Sequence, residues 1–138
     1  MILLDAYAII AFLVGGPAAP QVRILLREGD TGVATANLAE ALDVSQRVYA
    51  LPVERAMEAL EPLLDATLAT LPLDLSVAKR AAEIRGAYYH RSSRPISLAD
   101  AILVATARGG DRIATADPDV LAVARAEAIE GISLPAQG

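Results

Sequence analysis

The chain has no cysteine, no tryptophan and a single histidine, His90. Without cysteine there is no disulfide, no thiol nucleophile and no thiolate metal site. One histidine excludes a zinc centre built from several imidazoles. It also leaves a serine hydrolase without a suitable base, and no Gly-x-Ser-x-Gly elbow is present. The only lysine, Lys79, falls in a helical stretch, not after a late strand where a receiver domain needs one. An aspartyl-nucleophile phosphatase wants a second acid two residues after the first, and that position is Tyr7. Neither a Walker loop nor a Gly-x-Gly-x-x-Gly turn is present, so nothing cradles nucleotide phosphates.

Aromatic residues make up only 4 % of the chain while apolar residues make up 54 %. Ala, Leu, Val and Ile must therefore fill the core. The longest early apolar run, Ala6–Val14, is shorter than the roughly 20 residues a bilayer span needs. Met1–Leu4 carries no basic region and Asp5 interrupts it, unlike a signal peptide. The expectation is a soluble, cytoplasmic protein with no membrane contact. Its 138 residues suffice for one domain, residues 1–138, around one real core.

The net charge of −5 hides an asymmetry. Between Glu40 and Asp74 seven acids face only Arg47 and Arg55, whereas between Lys79 and Arg94 five basic residues face Glu83 alone. Glu54, Glu58, Glu61 and Asp65 recur at helical spacing and read as one solvated face. Arg85, Arg91 and Arg94 are either solvated cations or a rim that guides a phosphate-bearing ligand. Tyr88 and Tyr89 read as packing, and His90 as a surface residue.

Periodicity predicts strands alternating with helices. Ile2–Leu4 has the apolar run of a buried parallel strand, and Ala6–Val14 reads as a buried helix stopped by Gly15-Gly16-Pro17. A helix over Pro20–Arg27 and a strand at Gly32–Thr35 follow. Asn37 is expected to cap a long helix to about Ala50, in a capping box with Glu40. A helix over Val53–Leu60 kinks or restarts at Pro62. A strand at Thr67–Leu71, a helix over Val77–Tyr89 capped by Ser76, and a polar loop bring the chain to a central helix capped by Ser97. Then come a strand at Arg112–Thr115, a helix from Pro118 to about Ala128, and an edge strand at Gly131–Leu134. The order implies an α/β fold with a mostly parallel central sheet of about five short strands flanked by helices.

Four acids fall at related places in this pattern. Asp5 ends the first strand, Glu40 lies in the first turn of the helix after the second, Asp100 starts an almost wholly apolar helix, and Asp117 follows the fourth strand. In a parallel sheet these positions share the carboxyl edge, where ligands bind. Each has an ordinary alternative: Asp100 as partner of Ser97 in a capping box, Asp117 as an N-cap before Pro118, Glu40 as partner of Asn37. Together they imply one acidic pocket. Four converging carboxylates with no cation between them repel and take up protons. An all-oxygen donor set suits Mg²⁺ or Mn²⁺.

These pieces, ILLDAYAIIAFL, NLAEAL, SLADAILVATA and RIATADPDV, are in the order and spacing of a PIN domain. The chain resembles a VapC-type toxin ribonuclease of a type II toxin–antitoxin system across essentially its whole length. The resemblance implies a PIN-like three-layer fold and a divalent-metal-dependent endoribonuclease that hydrolyses RNA through metal-activated water. It implies that Asp5, Glu40, Asp100 and Asp117 are catalytic metal ligands, with Thr115 orienting Asp117 or a water and Asp119 in reserve. It further implies a small VapB-like antitoxin partner and a homodimer. Two positions depart from the pattern: Ala6 stands where Ser or Thr is usual, and Tyr7 where a small polar residue is common. A rival from another class is a catalytically weak PIN module that binds RNA or a protein partner. A nuclease for DNA or structured RNA shares the site and differs only in substrate.

Overall fold

Ile2–Leu4 forms strand β1, every residue of it buried. Burial on both faces is what a short run without polar residues needs, and it places the strand at the centre of a sheet. The structure is a computed structural model that describes residues 1–137. Its elements after β1 are α1 (Ala6–Val14), α2 (Ala19–Glu28), β2 (Thr31–Ala34), α3 (Thr35–Tyr49), α4 (Val53–Leu64) and β3 (Leu68–Leu71). They continue as α5 (Leu75–Tyr88), α6 (Leu98–Thr106), β4 (Arg112–Thr115), α7 (Pro118–Ala126) and β5 (Glu130–Ser133). The strand order is β3-β2-β1-β4-β5 and all four pairings are parallel.

Alternation along β1 divides the core. Leu3 packs with Ile84, Leu103, Ile113 and Val120 on the face covered by α5, α6 and α7. Ile2 and Leu4 pack with Ile9, Val22, Leu60 and Leu68 on the face covered by α1, α2 and α4. The α/β class, the parallel sheet and the edge position of the last strand are as the sequence implies.

Several boundaries differ, each for a physical reason. Helix α3 begins at Thr35, straight after Ala34, with no side-chain cap. Asn37 therefore lies inside the helix and does not cap it, and Glu40 sits in the second turn. The buried stripe of α3 is Asn37, Ala41 and Ser45, while Val48 is largely exposed. Helix α4 continues past Pro62 to Leu64. Helix α5 is capped by Asp74, which accepts from the Val77 amide, and not by Ser76. Ser97 does cap α6, in a complete box with Asp100.

Leu103 is fully buried on α6, the helix that carries Asp100. Leu103→Ala should destabilise the fold by about 2–5 kcal/mol, the range for a deleted core leucine. Urea unfolding reads this; a loss below about 1 kcal/mol would mean that the helix repacks freely.

Candidate active site

The direction of the sheet's connections reverses at β1. The chain proceeds to β2 on one side, and β4 pairs on the other. A crevice opens at such a point, outside the carboxyl ends of the strands. Asp5 follows β1 there, and Ala116 and Asp117 follow β4 there. A cleft of about 300 Å³ is lined by Asp5, Ala6, Tyr7, Asn37, Glu40, Asp100, Ala116 and Asp117. All four acids singled out in the sequence thus line one cleft. A larger cavity, about 990 Å³, lies elsewhere, along α5 between Leu75 and Tyr88. It holds none of the four.

Three of the acids are fixed by helix starts. Asp5 is the N-cap of α1, and its Oδ1 accepts from the Ala8 amide at 2.8 Å. Asp117 is the N-cap of α7, accepting from the Asp119 amide at 2.8 Å. Asp100 accepts from the Ser97 amide at 3.1 Å, while its own amide donates to the Ser97 hydroxyl at 3.0 Å. Helix N-termini favour negative charge, so each acid is both a cap and an electrostatic match. The ordinary readings of Asp100 and Asp117 are therefore correct as far as they go. They leave the second oxygen of each carboxylate over for other use.

Electrostatically the acids press on one another. Asp5 is 8 % exposed, and burial pushes its carboxyl up to about 6. Hydrogen bonds from Thr115 and the Ala8 amide pull the other way, and the charges of Asp100 and Asp117 add to the rise. Asp100 is raised first by burial, then by Asp117 and Asp119, against the lowering bonds from Ser97. Glu40, at the exposed rim, is raised by partial burial and by Asp100. Thr115 is fully buried, and its hydroxyl accepts from the Asp117 amide at 3.1 Å. The bond fixes the turn that follows β4. Thr115 also supplies beside Asp5 a hydroxyl of the sort that Ala6 does not.

Oxygen donors without a neighbouring cation fit a hard divalent ion. Among the described residues no three acids stand as a finished cage. Three of the four acids each hold one carboxylate oxygen toward a backbone amide. Asn37, which lies inside α3 and does not cap it, lines the cleft together with the acids and Tyr7. It is 2 % exposed, its amide nitrogen donates to the Ala99 carbonyl at 3.3 Å, and its Oδ1 has no partner.

The PIN domain family model matches residues 2–126. The chain belongs to the PIN domain family.

Solved structures agree with the PIN assignment. FitAcB from Neisseria gonorrhoeae is 27% identical, with 96% of this chain and 97% of that chain covered and a TM-score of 0.66. FitAB bound to an IR36 DNA fragment is 26% identical over 96% and 94%, with a TM-score of 0.69. VapBC2 from Rickettsia felis, bound to a DNA fragment from their promoter, shares the fold at 14% identity, over 98% and 100%, with a TM-score of 0.68. Comparison with curated protein sequences finds no match.

The remaining candidates of this PIN domain lie outside the cleft lining. Asp119 stays in the first turn of α7, where its charge acts on Asp100. Asp43 pairs with Arg47 on the exposed side of α3. His90 folds its own loop, Nδ1 accepting from the Ser92 and Ser93 amides. Arg85 stacks on Tyr89 at 4.5 Å and Arg94 on Tyr88 at 6.0 Å. The Tyr88 hydroxyl donates to Glu127, a packing role. Among the described residues no single helix is long and apolar enough to cross a membrane.

Proposed function

We propose that the protein is a divalent-metal-dependent endoribonuclease, the toxin of a toxin–antitoxin pair. The observation that carries this is the single cleft lined by Asp5, Glu40, Asp100 and Asp117 at the switch point of a PIN domain. Asp5, Glu40 and Asp100 are the main ligands of Mg²⁺ or Mn²⁺, and Asp117 holds a second ion or an ordered water. When bound, the ion supplies Lewis-acid activation of water and offsets charge developing on the phosphate. The protein's own groups do the rest. Asp5 is held by the Ala8 amide, and Thr115 acts on its charge. Asp117 is fixed in turn through its amide on Thr115. Glu40 lines the cleft from its exposed rim.

The antitoxin partner is proposed from the sequence motifs, and the fold's occurrence in a toxin–antitoxin complex from Klebsiella pneumoniae is in keeping with it. A pocket of four acids attracts arginine, so a basic segment of the antitoxin would inhibit by neutralising it. A homodimer and a cytoplasmic location belong to the same proposal.

The test is cleavage of folded RNAs, including a tRNA pool, by purified protein freed of any partner. Mg²⁺ or Mn²⁺ should support cleavage and a chelator should abolish it. Asp100→Asn should lower the rate at least about 100-fold, as expected when one ligand of a catalytic ion is lost. Metal binding without cleavage of any RNA offered would overturn the substrate class. Binding of neither metal nor RNA would overturn the enzyme and favour a protein-binding module.

A further inference from the structure

Asn37 is the one residue of the cleft that holds a buried side-chain polar atom without a partner. Its nitrogen must face the Ala99 carbonyl, because a carbonyl only accepts. That fixes the amide orientation and leaves Oδ1, also only an acceptor, on the other side without a partner. A buried acceptor with no donor is costly and calls for an explanation. The cleft offers no donor to relieve it. Asp5, Glu40, Asp100 and Asp117 accept when ionised, and Ala6 and Ala116 have no polar side-chain atom. The Tyr7 hydroxyl is committed to the Pro135 carbonyl at 2.6 Å.

Position strengthens the point. Asn37 lies one turn before Glu40 on α3, and its nitrogen grips the residue immediately before Asp100 on α6. It thus stands where the two helices that carry those acids meet. What satisfies an acceptor among acceptors is a donor water or a cation, and a cleft lined by four acids favours the cation.

We propose that Asn37 Oδ1 is a neutral oxygen donor to the divalent ion, directly or through one of its waters, completing the shell begun by Glu40 and Asp100. The inference rests on the metal-site reading above and adds a residue to it. A neutral donor fits the local electrostatics, since a fifth carboxylate would add to the repulsion that already raises Asp5, Asp100 and Glu40.

The test is Mn²⁺ titration of the full chain by calorimetry, with thermal unfolding in chelator as the folding control. Asn37→Ala should weaken Mn²⁺ binding about tenfold or more, as loss of a metal-supporting group does, while remaining folded without metal. Asn37→Asp keeps an oxygen at the same place but cannot donate to Ala99. It should bind Mn²⁺ at least as tightly as the natural protein, although its melting temperature in chelator should fall. A role limited to the Ala99 hydrogen bond predicts the opposite pattern, both variants binding equally poorly, and that result overturns the proposal. Unchanged Mn²⁺ affinity in Asn37→Ala overturns it too. Asp100→Asn separates the two levels of inference. If it loses Mn²⁺ while Asn37→Ala keeps it, only the role of Asn37 fails; if it keeps Mn²⁺, the metal site itself fails. Should Asn37→Ala not fold, Asn37→Ser, which shortens the side chain and keeps a hydroxyl, carries the same prediction of weakened binding.

Discussion

Asp5→Asn should make the protein more stable at neutral pH and remove its activity. Asp5 is buried, and above pH 6 it is ionised against the preference of its surroundings. The rise of its pKa from 3.8 to about 6 corresponds to a penalty on the charged form of about 3 kcal/mol. Asparagine caps a helix as well as aspartate does, so the bond from the Ala8 amide survives. The Thr115 hydroxyl can turn to serve either side chain. Urea unfolding at pH 8 should therefore show a gain of about 2–3 kcal/mol, shrinking to nothing near pH 4, where Asp5 is already protonated. RNA cleavage should drop at least about 100-fold, because an amide neither binds the ion as a carboxylate does nor brings charge to it. A destabilised Asp5→Asn at pH 8 would mean that the charge is compensated by something other than Thr115 and the Ala8 amide. A stabilised variant that still cleaves would remove Asp5 from the chemistry. Gain of stability with loss of function is the expected mark of a group kept for its reactivity.

How far the sequence discloses this site depends on what kind of force places each residue. Asp5 and Asp117 are legible because strand runs are: an apolar stretch ends, a polar residue follows, and a parallel sheet brings such ends to one edge. Asp100 is legible because an acid in an otherwise apolar helix has a cost that needs a reason. The Ser97–Asp100 capping box was also readable, since both partners are local. Asn37 was not. Its position three residues before Glu40 matches a capping box, and local pattern cannot tell a cap from a residue one turn further in. The difference arises because α3 starts directly from the last residue of β2, leaving no room for a cap. The burial of Asn37 comes from α6, sixty-two residues away, through the Ala99 carbonyl. The α5 cap misled for a related reason: Asp74 and Ser76 both suit the role, and only the path of the chain from β3 selects Asp74. Thr115 could be placed at a strand end, but its effect on Asp5 depends on the β1–β4 pairing, which is a tertiary fact.

The second large effect is the dependence of stability on pH and its reversal by metal. Asp5 has a folded-state pKa near 6, above its unfolded value of 3.8. Between those values the folded state holds a proton that the unfolded state has lost. Stability is thus greatest below about pH 4, falls as pH rises through 6, and then levels, with a span of about 3 kcal/mol from this group. Asp100 and Glu40 are raised as well and act in the same direction. Most buried carboxylates with partners behave oppositely, losing stability in acid, so the sign is diagnostic. A divalent ion binds the ionised acids of the folded state and not the scattered acids of the unfolded chain. At pH 8 and 100 times its Kd it should add about 2.7 kcal/mol, a rise in melting temperature on the order of 10 °C. At pH 4.5 the same ion competes with protons on Asp5, and the shift should largely vanish. Calorimetric melts at both pH values, with Mn²⁺ and with chelator, read the whole pattern, and Asp5→Asn subtracts the contribution of that one group. Metal-free stability that rises between pH 4 and 6 by as much in the natural protein as in Asp5→Asn would show that Asp5 titrates as an ordinary surface acid. The cost of burying Asp5 as a charged group beside other acids, and the call for a cation that it makes, would then lose its main support.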